Sequence, residues 1–94
     1  MYAATATVTN PSGLHARPAT IFVEEAKKYA SKIFVKNLSK GSDAKNAKSP
    51  IMLLTLAVTK GTEIEISADG DDEVNAVNNL IKLVESGFGE EEEI

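Results

Sequence analysis

The chain has no cysteine and only one histidine, and these two scarcities remove most of the chemistry open to a small protein. Without cysteine there is no disulfide framework and no thiolate zinc site, a composition that suits a reducing compartment. With His15 as its sole imidazole, the chain cannot build a metal site from paired histidines, and no second imidazole is available as a base. Aromatic residues make up 5% of the sequence, so the core has to be aliphatic. Long hydrophobic runs are also missing. The longest, Ile51 to Val58, is interrupted by Thr55 and falls far short of the ~20 residues a spanning helix needs. Met1-Tyr2-Ala3-Ala4-Thr5 has no basic stretch followed by an apolar one, so no secretory signal is expected and the protein is expected in the cytoplasm. Nor is there a basic patch: the lysines are scattered and the net charge is −4, which excludes nucleic acid and anionic membranes as natural partners.

What is present is an alternation of two periods. Tyr2, Ala4, Ala6 and Val8 alternate with Ala3, Thr5, Thr7 and Thr9, as in a strand with one covered face. Asn10-Pro11-Ser12-Gly13 then supplies a turn. Ala19, Phe22, Val23, Ala26 and Ala30 recur at helical spacing, and Pro18 sits where a first turn tolerates it, so a helix is predicted from His15–Ala16 to about Ala30. Lys32–Leu38 reads as a second strand, Lys40-Gly41-Ser42 as a turn, and Asp43–Ala47 as a short third strand. Ser49-Pro50 is a helix-start signal, opening a short helix limited by Gly61. Thr62–Ala68 alternates with Ile64 and Ile66 inward. Asp69-Gly70-Asp71-Asp72-Glu73 forms a turn and N-cap cluster ahead of a last helix marked by Val74, Val77, Leu80, Ile81 and Val84 and stopped by Gly87. The order β-α-β-β-α-β-α implies an α+β open-faced sandwich: a four-stranded antiparallel sheet with three helices on one face. Residues 1–88 are expected to form one domain, followed by an acidic, disordered tail at 89–94.

His15 is the first candidate for chemistry. Gly13-Leu14-His15-Ala16-Arg17-Pro18 places its ring at the mouth of a helix N-terminus. There, unpaired N–H groups and the helix dipole favour a negative charge such as a phosphoryl group on the ring. Arg17, two residues on, can fold back toward the cap and offer bidentate hydrogen bonds to the same group. The carboxylates Asp69, Asp71, Asp72 and Glu73 lack the spacing of a calcium loop and are accounted for by capping, so no metal and no cofactor are expected. Ser49 reads as a plain N-cap and equally as a phosphorylation site, where added charge would meet the helix dipole. The run Pro50, Ile51, Met52, Leu53, Leu54, Leu56 is too apolar for one short helix to bury. Leu53 and Leu56 are assigned to the core, and Ile51, Met52 and Leu54 to an exposed docking patch.

Gly13-Leu14-His15-Ala16-Arg17-Pro18-Ala19 resembles the active-site signature of the HPr family, the histidine-containing phosphocarriers of the bacterial phosphoenolpyruvate-dependent sugar phosphotransferase system. The likeness extends through Ala47-Lys48-Ser49, Lys60-Gly61, Ile66-Ser67-Ala68-Asp69-Gly70 and the last helix. It implies phosphorylation of His15 at ring Nδ1 by Enzyme I, transfer to IIA components of sugar permeases, and assistance from Arg17. It further implies that Ser49 matches a regulatory serine modified by HPr kinase/phosphorylase and read by a transcriptional regulator, and that Leu14, Thr20, Pro50, Ile51 and Leu54 form the docking face. Such a protein is a monomeric carrier with a phosphohistidine rather than a free-standing enzyme. Pro50 stands where an aliphatic residue is usual, and Asn37–Asn46 is longer than in many members. The alternative is a regulatory module of the same family that acts on kinases or transcription factors without sugar transport.

Overall fold

Four stretches of alternating residues and three of helical spacing set the architecture. In the computed structural model, which describes residues 1–89, the chain runs β1 (Tyr2–Thr7), α1 (Arg17–Ala26), β2 (Lys32–Asn37), β3 (Lys45–Asn46), α2 (Pro50–Leu54), β4 (Glu63–Asp69) and α3 (Glu73–Glu85). A short 3-10 turn at Gly87–Gly89 follows. The expected tail at 89–94 lies outside the described residues except for Gly89, which closes that turn. The strands form one antiparallel sheet in the order β1-β4-β2-β3.

Register makes one face of the sheet apolar. Tyr2, Ala68 and Ile33 share a row across three strands, as do Ala4, Ile66 and Val35, then Ala6, Ile64 and Asn37. Phe22, Val23 and Ala26 of α1 and Ala76, Val77, Leu80 and Val84 of α3 close over these rows. Leu53, Leu56 and Val58 complete the core from α2 and the segment after it. Phe88 in the terminal turn packs its ring 6.5 Å from that of Phe22. Each Val, Leu or Phe side chain among these removed from water contributes about 1.5–3 kcal/mol, so the helices are held by their buried stripes rather than by propensity. The opposite face carries the exposed Ala3, Thr5, Thr7, Lys32, Lys36 and Glu63 and is left open. Among the described residues no helix is long and apolar enough to cross a membrane.

Four expectations are corrected. Helix α1 stops at Ala26, not near Ala30, because the next N–H groups are taken elsewhere. Lys28 and Tyr29 bond back to Glu25 and Ala26, three residues away, and the N–H groups of Ala30 and Ser31 donate to the Asp72 carboxylate at 2.8 and 3.0 Å. Ala30 is therefore exposed. Asp72 does occupy the N-cap position of α3, but its side chain caps nothing there: it binds the Ala30–Ser31 corner, including the Ser31 hydroxyl. Helix α2 ends at Leu54, well short of Gly61, with the Thr55 hydroxyl donating to the Met52 carbonyl at 2.6 Å. Val74, assigned to the buried stripe of α3, is 47% exposed.

The Asp72 arrangement carries a pH signature. Hydrogen bonds from the Ser31 hydroxyl, then the Ala30 N–H, hold its carboxyl below the ordinary value of 3.8. Glu25, through Tyr29 and Lys28, and Glu73, through the Gly70 N–H, are lowered in the same direction. A carboxyl depressed in the folded state stabilises the fold above its unfolded value, and that stability drains away as pH falls through the folded one. The thermal midpoint should therefore fall on acidification below the ordinary carboxylate range. The gap between the parent and Asp72→Asn, measured by thermal melts at a series of pH values, should narrow over the same interval. A gap constant from neutrality into strong acid would contradict the assignment.

Candidate functional site

The site is a loop locked from behind. After β1 the chain turns through Asn10–Gly13, with the Gly13 N–H donating to the Asn10 carbonyl (3.2 Å) and the Asn10 side-chain amide donating to the Gly13 carbonyl (2.9 Å). Gly13 has φ 61° and lies directly on the Val58–Thr59 backbone. The next N–H, that of Leu14, donates to the Val58 carbonyl at 3.1 Å, and the Leu14 side chain is wholly buried in the core. His15 emerges from this anchored turn partly exposed.

Between His15 and α1, Ala16 adopts φ 56° and ψ −128°, a conformation costly for a residue with a side chain. Ala16 occupies the cap position and has nothing to cap with, and the first turn holds no acidic residue. The first intrahelical bond is from Thr20 N–H to Ala16 O at 3.3 Å. The start of α1 thus keeps its positive dipole end uncompensated by its own side chains. Arg17, the first helical residue, is exposed, and among the described residues the ion pairs are Met1–Glu73 and Lys28–Glu25, neither of which involves it. An imidazole, a guanidinium and an uncapped helix start sit within three consecutive residues, an arrangement suited to receiving an anion.

Helix α2 stands beside α1. Its N-cap is Ser49, whose Oγ accepts from the Met52 N–H at 3.3 Å, with Pro50 in the first turn as the sequence predicts. Ile51 is 73% exposed and Leu54 46%, and Leu53 and Leu56 are in the core, as assigned; Met52, assigned to the exposed patch, is corrected to partly buried. Thr20 and Pro50 are also exposed. Leu14 is also corrected: a side chain without exposed surface cannot dock a partner, and Leu14 instead fixes the loop. Sequence reading missed Asn37, fully buried at the end of β2, although the alternation Ile33, Val35, Asn37 places a polar residue on the apolar face and so signals it. Among the described residues no group of three or more acidic or histidine side chains is placed to hold a metal ion.

The family model described as PTS HPr component phosphorylation site matches residues 2–86 of this chain. The phosphocarrier protein HPr of Haemophilus influenzae is 45% identical over 84 residues, covering 89% of this chain and 95% of that protein. A multiphosphoryl transfer protein of the same organism is 41% identical over 86 residues, 92% of this chain, and this chain spans 17% of its length. Among solved structures, an HPr from Thermoanaerobacter tengcongensis matches with a TM-score of 0.91 at 43% identity, covering 98% of this chain and 100% of that one. An HPr dimer from the same organism matches with a TM-score of 0.74 at 43% identity, covering 96% and 100%. The expected monomer therefore has no support from these relatives.

Proposed function

The chain belongs to the HPr family of the phosphotransferase system, and from that premise we propose that His15 accepts a phosphoryl group from Enzyme I, charged by phosphoenolpyruvate, and yields it to IIA components of sugar permeases in the cytoplasm. The observation that carries this reading is the partly exposed His15 set ahead of an α1 start that has neither a side-chain cap nor an acidic first turn. In the acceptance step the Nδ1 lone pair of the neutral ring attacks phosphorus in line as the donor's P–N bond breaks. The Nε2 proton stays on the ring, and the donor imidazole recovers the bonding pair. The second step reverses these roles toward the acceptor. Little covalent chemistry falls to the protein, and what it supplies is position and charge stabilisation. Arg17 and the first N–H groups of α1 face the phosphoryl oxygens, while Thr20, Pro50, Ile51 and Leu54 hold the partner. Ser49 belongs to the same reading as a regulatory site: a phosphate there would add charge beside Ile51 and Leu54 and weaken docking.

Incubation with phosphoenolpyruvate and Enzyme I should add one acid-labile phosphoryl group by intact mass, and a IIA domain should then remove it. A chain that stays unmodified while folded, with Enzyme I from several sources, refutes the proposal. Arg17→Ala should lower the rate of transfer by about 100-fold, the scale of removing one preorganised donor from a charged transition state. Arg17→Lys should recover part of that loss, since it keeps the charge without the fork. Stopped-time quench of the phosphorylated form measures both.

A further inference from the structure

Asn37 uses every polar group it has. Its N–H donates to Ser42 Oγ (2.9 Å), its carbonyl accepts from the Ser42 N–H (3.0 Å), and its Oδ1 accepts from the Lys40 N–H (3.0 Å). Those three bonds stay within the turn after β2. The fourth leaves it: Nδ2 donates to the Leu56 carbonyl at 2.9 Å, nineteen residues along the chain. Leu56 lies on the segment leaving α2, tied to the helix by Leu56 N–H to Leu53 O (3.1 Å) and Ala57 N–H to Leu54 O (3.2 Å). Two residues later the Val58 carbonyl receives the Leu14 N–H. Ala57, between the two held carbonyls, has φ 53°, a narrow well for an alanine. Segment 56–58 is therefore gripped by β2 on one side and by the histidine loop on the other, with the exposed side chains of α2 immediately upstream.

We infer that Asn37 is a positioning residue for phosphoryl exchange: its amide, through the Leu56 carbonyl, fixes the placement of Ile51 and Leu54 relative to His15. The Leu56 carbonyl is a helix-exit acceptor in a buried stretch, where an unsatisfied group is costly. Losing the Asn37 donor leaves that carbonyl to find a new partner, and the backbone on either side must shift to provide one. A docked partner touches α2 and the histidine at once, so a shift between them weakens docking before it touches the chemistry. The functional half of this inference rests on the phosphocarrier reading. The geometric half does not.

The test uses the full chain with Asn37→Leu, Asn37→Ser and the control Ser42→Ala, all held well below their melting temperatures. Serine is too short to reach Leu56 and keeps an oxygen for the turn, so it serves where leucine fails to fold. Both Asn37 variants should move the amide signals of Leu14–Arg17 and Ile51–Leu54 in ¹H–¹⁵N spectra. They should also raise KM for Enzyme I about fivefold with kcat within about twofold. Ser42→Ala should disturb signals near residues 37–42 and leave KM unchanged. Signals confined to that turn in a folded Asn37 variant, or moved signals with an unchanged KM, overturn the inference. If the parent itself accepts no phosphoryl group, the phosphocarrier reading falls, and the amide signals alone decide whether Asn37 positions the site.

Discussion

His15→Ala is expected to abolish phosphoryl acceptance completely, while leaving the thermal midpoint close to the parent's. The loss should be total because no second histidine stands anywhere in the chain to take over as a nitrogen acceptor. The fold should tolerate the change because the ring is only partly buried and lies outside the core cluster. Substitutions of that kind usually stay within about 0.5 kcal/mol. Intact mass before and after mild acid, read beside a thermal melt, separates the two statements. An acid-labile adduct surviving on the variant would mean that another nitrogen accepts the group. An acid-stable adduct would point to a hydroxyl such as that of Ser49. A variant that is inactive and also unfolded would show that the ring has a structural part in the loop.

Gly13→Ala should have the largest effect on stability of any single methyl group added to the loop. Two costs coincide. At φ 61° the backbone is left-handed, which disfavours a side chain by about 1–2 kcal/mol. The new Cβ would also fall inside contact distance of the Val58 carbonyl oxygen and 2.8 Å from the Thr59 Cα, both backbone atoms that cannot rotate aside. Forcing a methyl into a filled space adds about 1–3 kcal/mol. The sum, about 3 kcal/mol, corresponds to a drop of about 15 °C in the midpoint of a domain this size. Gly41→Ala is the control: φ is 68°, yet nothing lies within 4 Å of its Cβ position, so only the conformational cost applies. Its midpoint should fall by about a third as much. Equal losses from the two substitutions would show that the close approach to Val58 is not what holds the loop.

Much of this molecule is legible from local pattern, and the exceptions share one cause. The alternation in Tyr2–Val8 and Thr62–Ala68 reads directly as two strands with a covered face, since period two needs no information beyond the strand itself. Ser49-Pro50 likewise announces its own cap, and Gly13 through Pro18 announces the candidate acceptor. The end of α1 is hidden because Asp72, more than forty residues downstream, removes the N–H groups of Ala30 and Ser31 from any helix. Asp72 itself is placed correctly by sequence and given the wrong partner for the same reason. Leu14 looks like a docking residue beside His15 until the Val58 carbonyl turns the loop and sends its side chain inward. Val74 follows the helical period but sits too near the start of α3 for the sheet to cover it. In each case a contact between distant segments overrides a local preference that was itself sound.

The strand order also decides when the candidate acceptor comes into being. The outer pair of the sheet joins the beginning of the domain to a strand near its end, Tyr2 facing Ala68. During synthesis β1 emerges first and has no neighbour until β4 has left the ribosome, and the Val58 carbonyl that holds Leu14 arrives only shortly before it. Pairings between such remote segments are slow to form and are made late, once the intervening chain is available to close the loop. A nascent chain therefore carries its histidine long before it carries the geometry around it, and phosphoryl acceptance should begin only with the nearly finished domain.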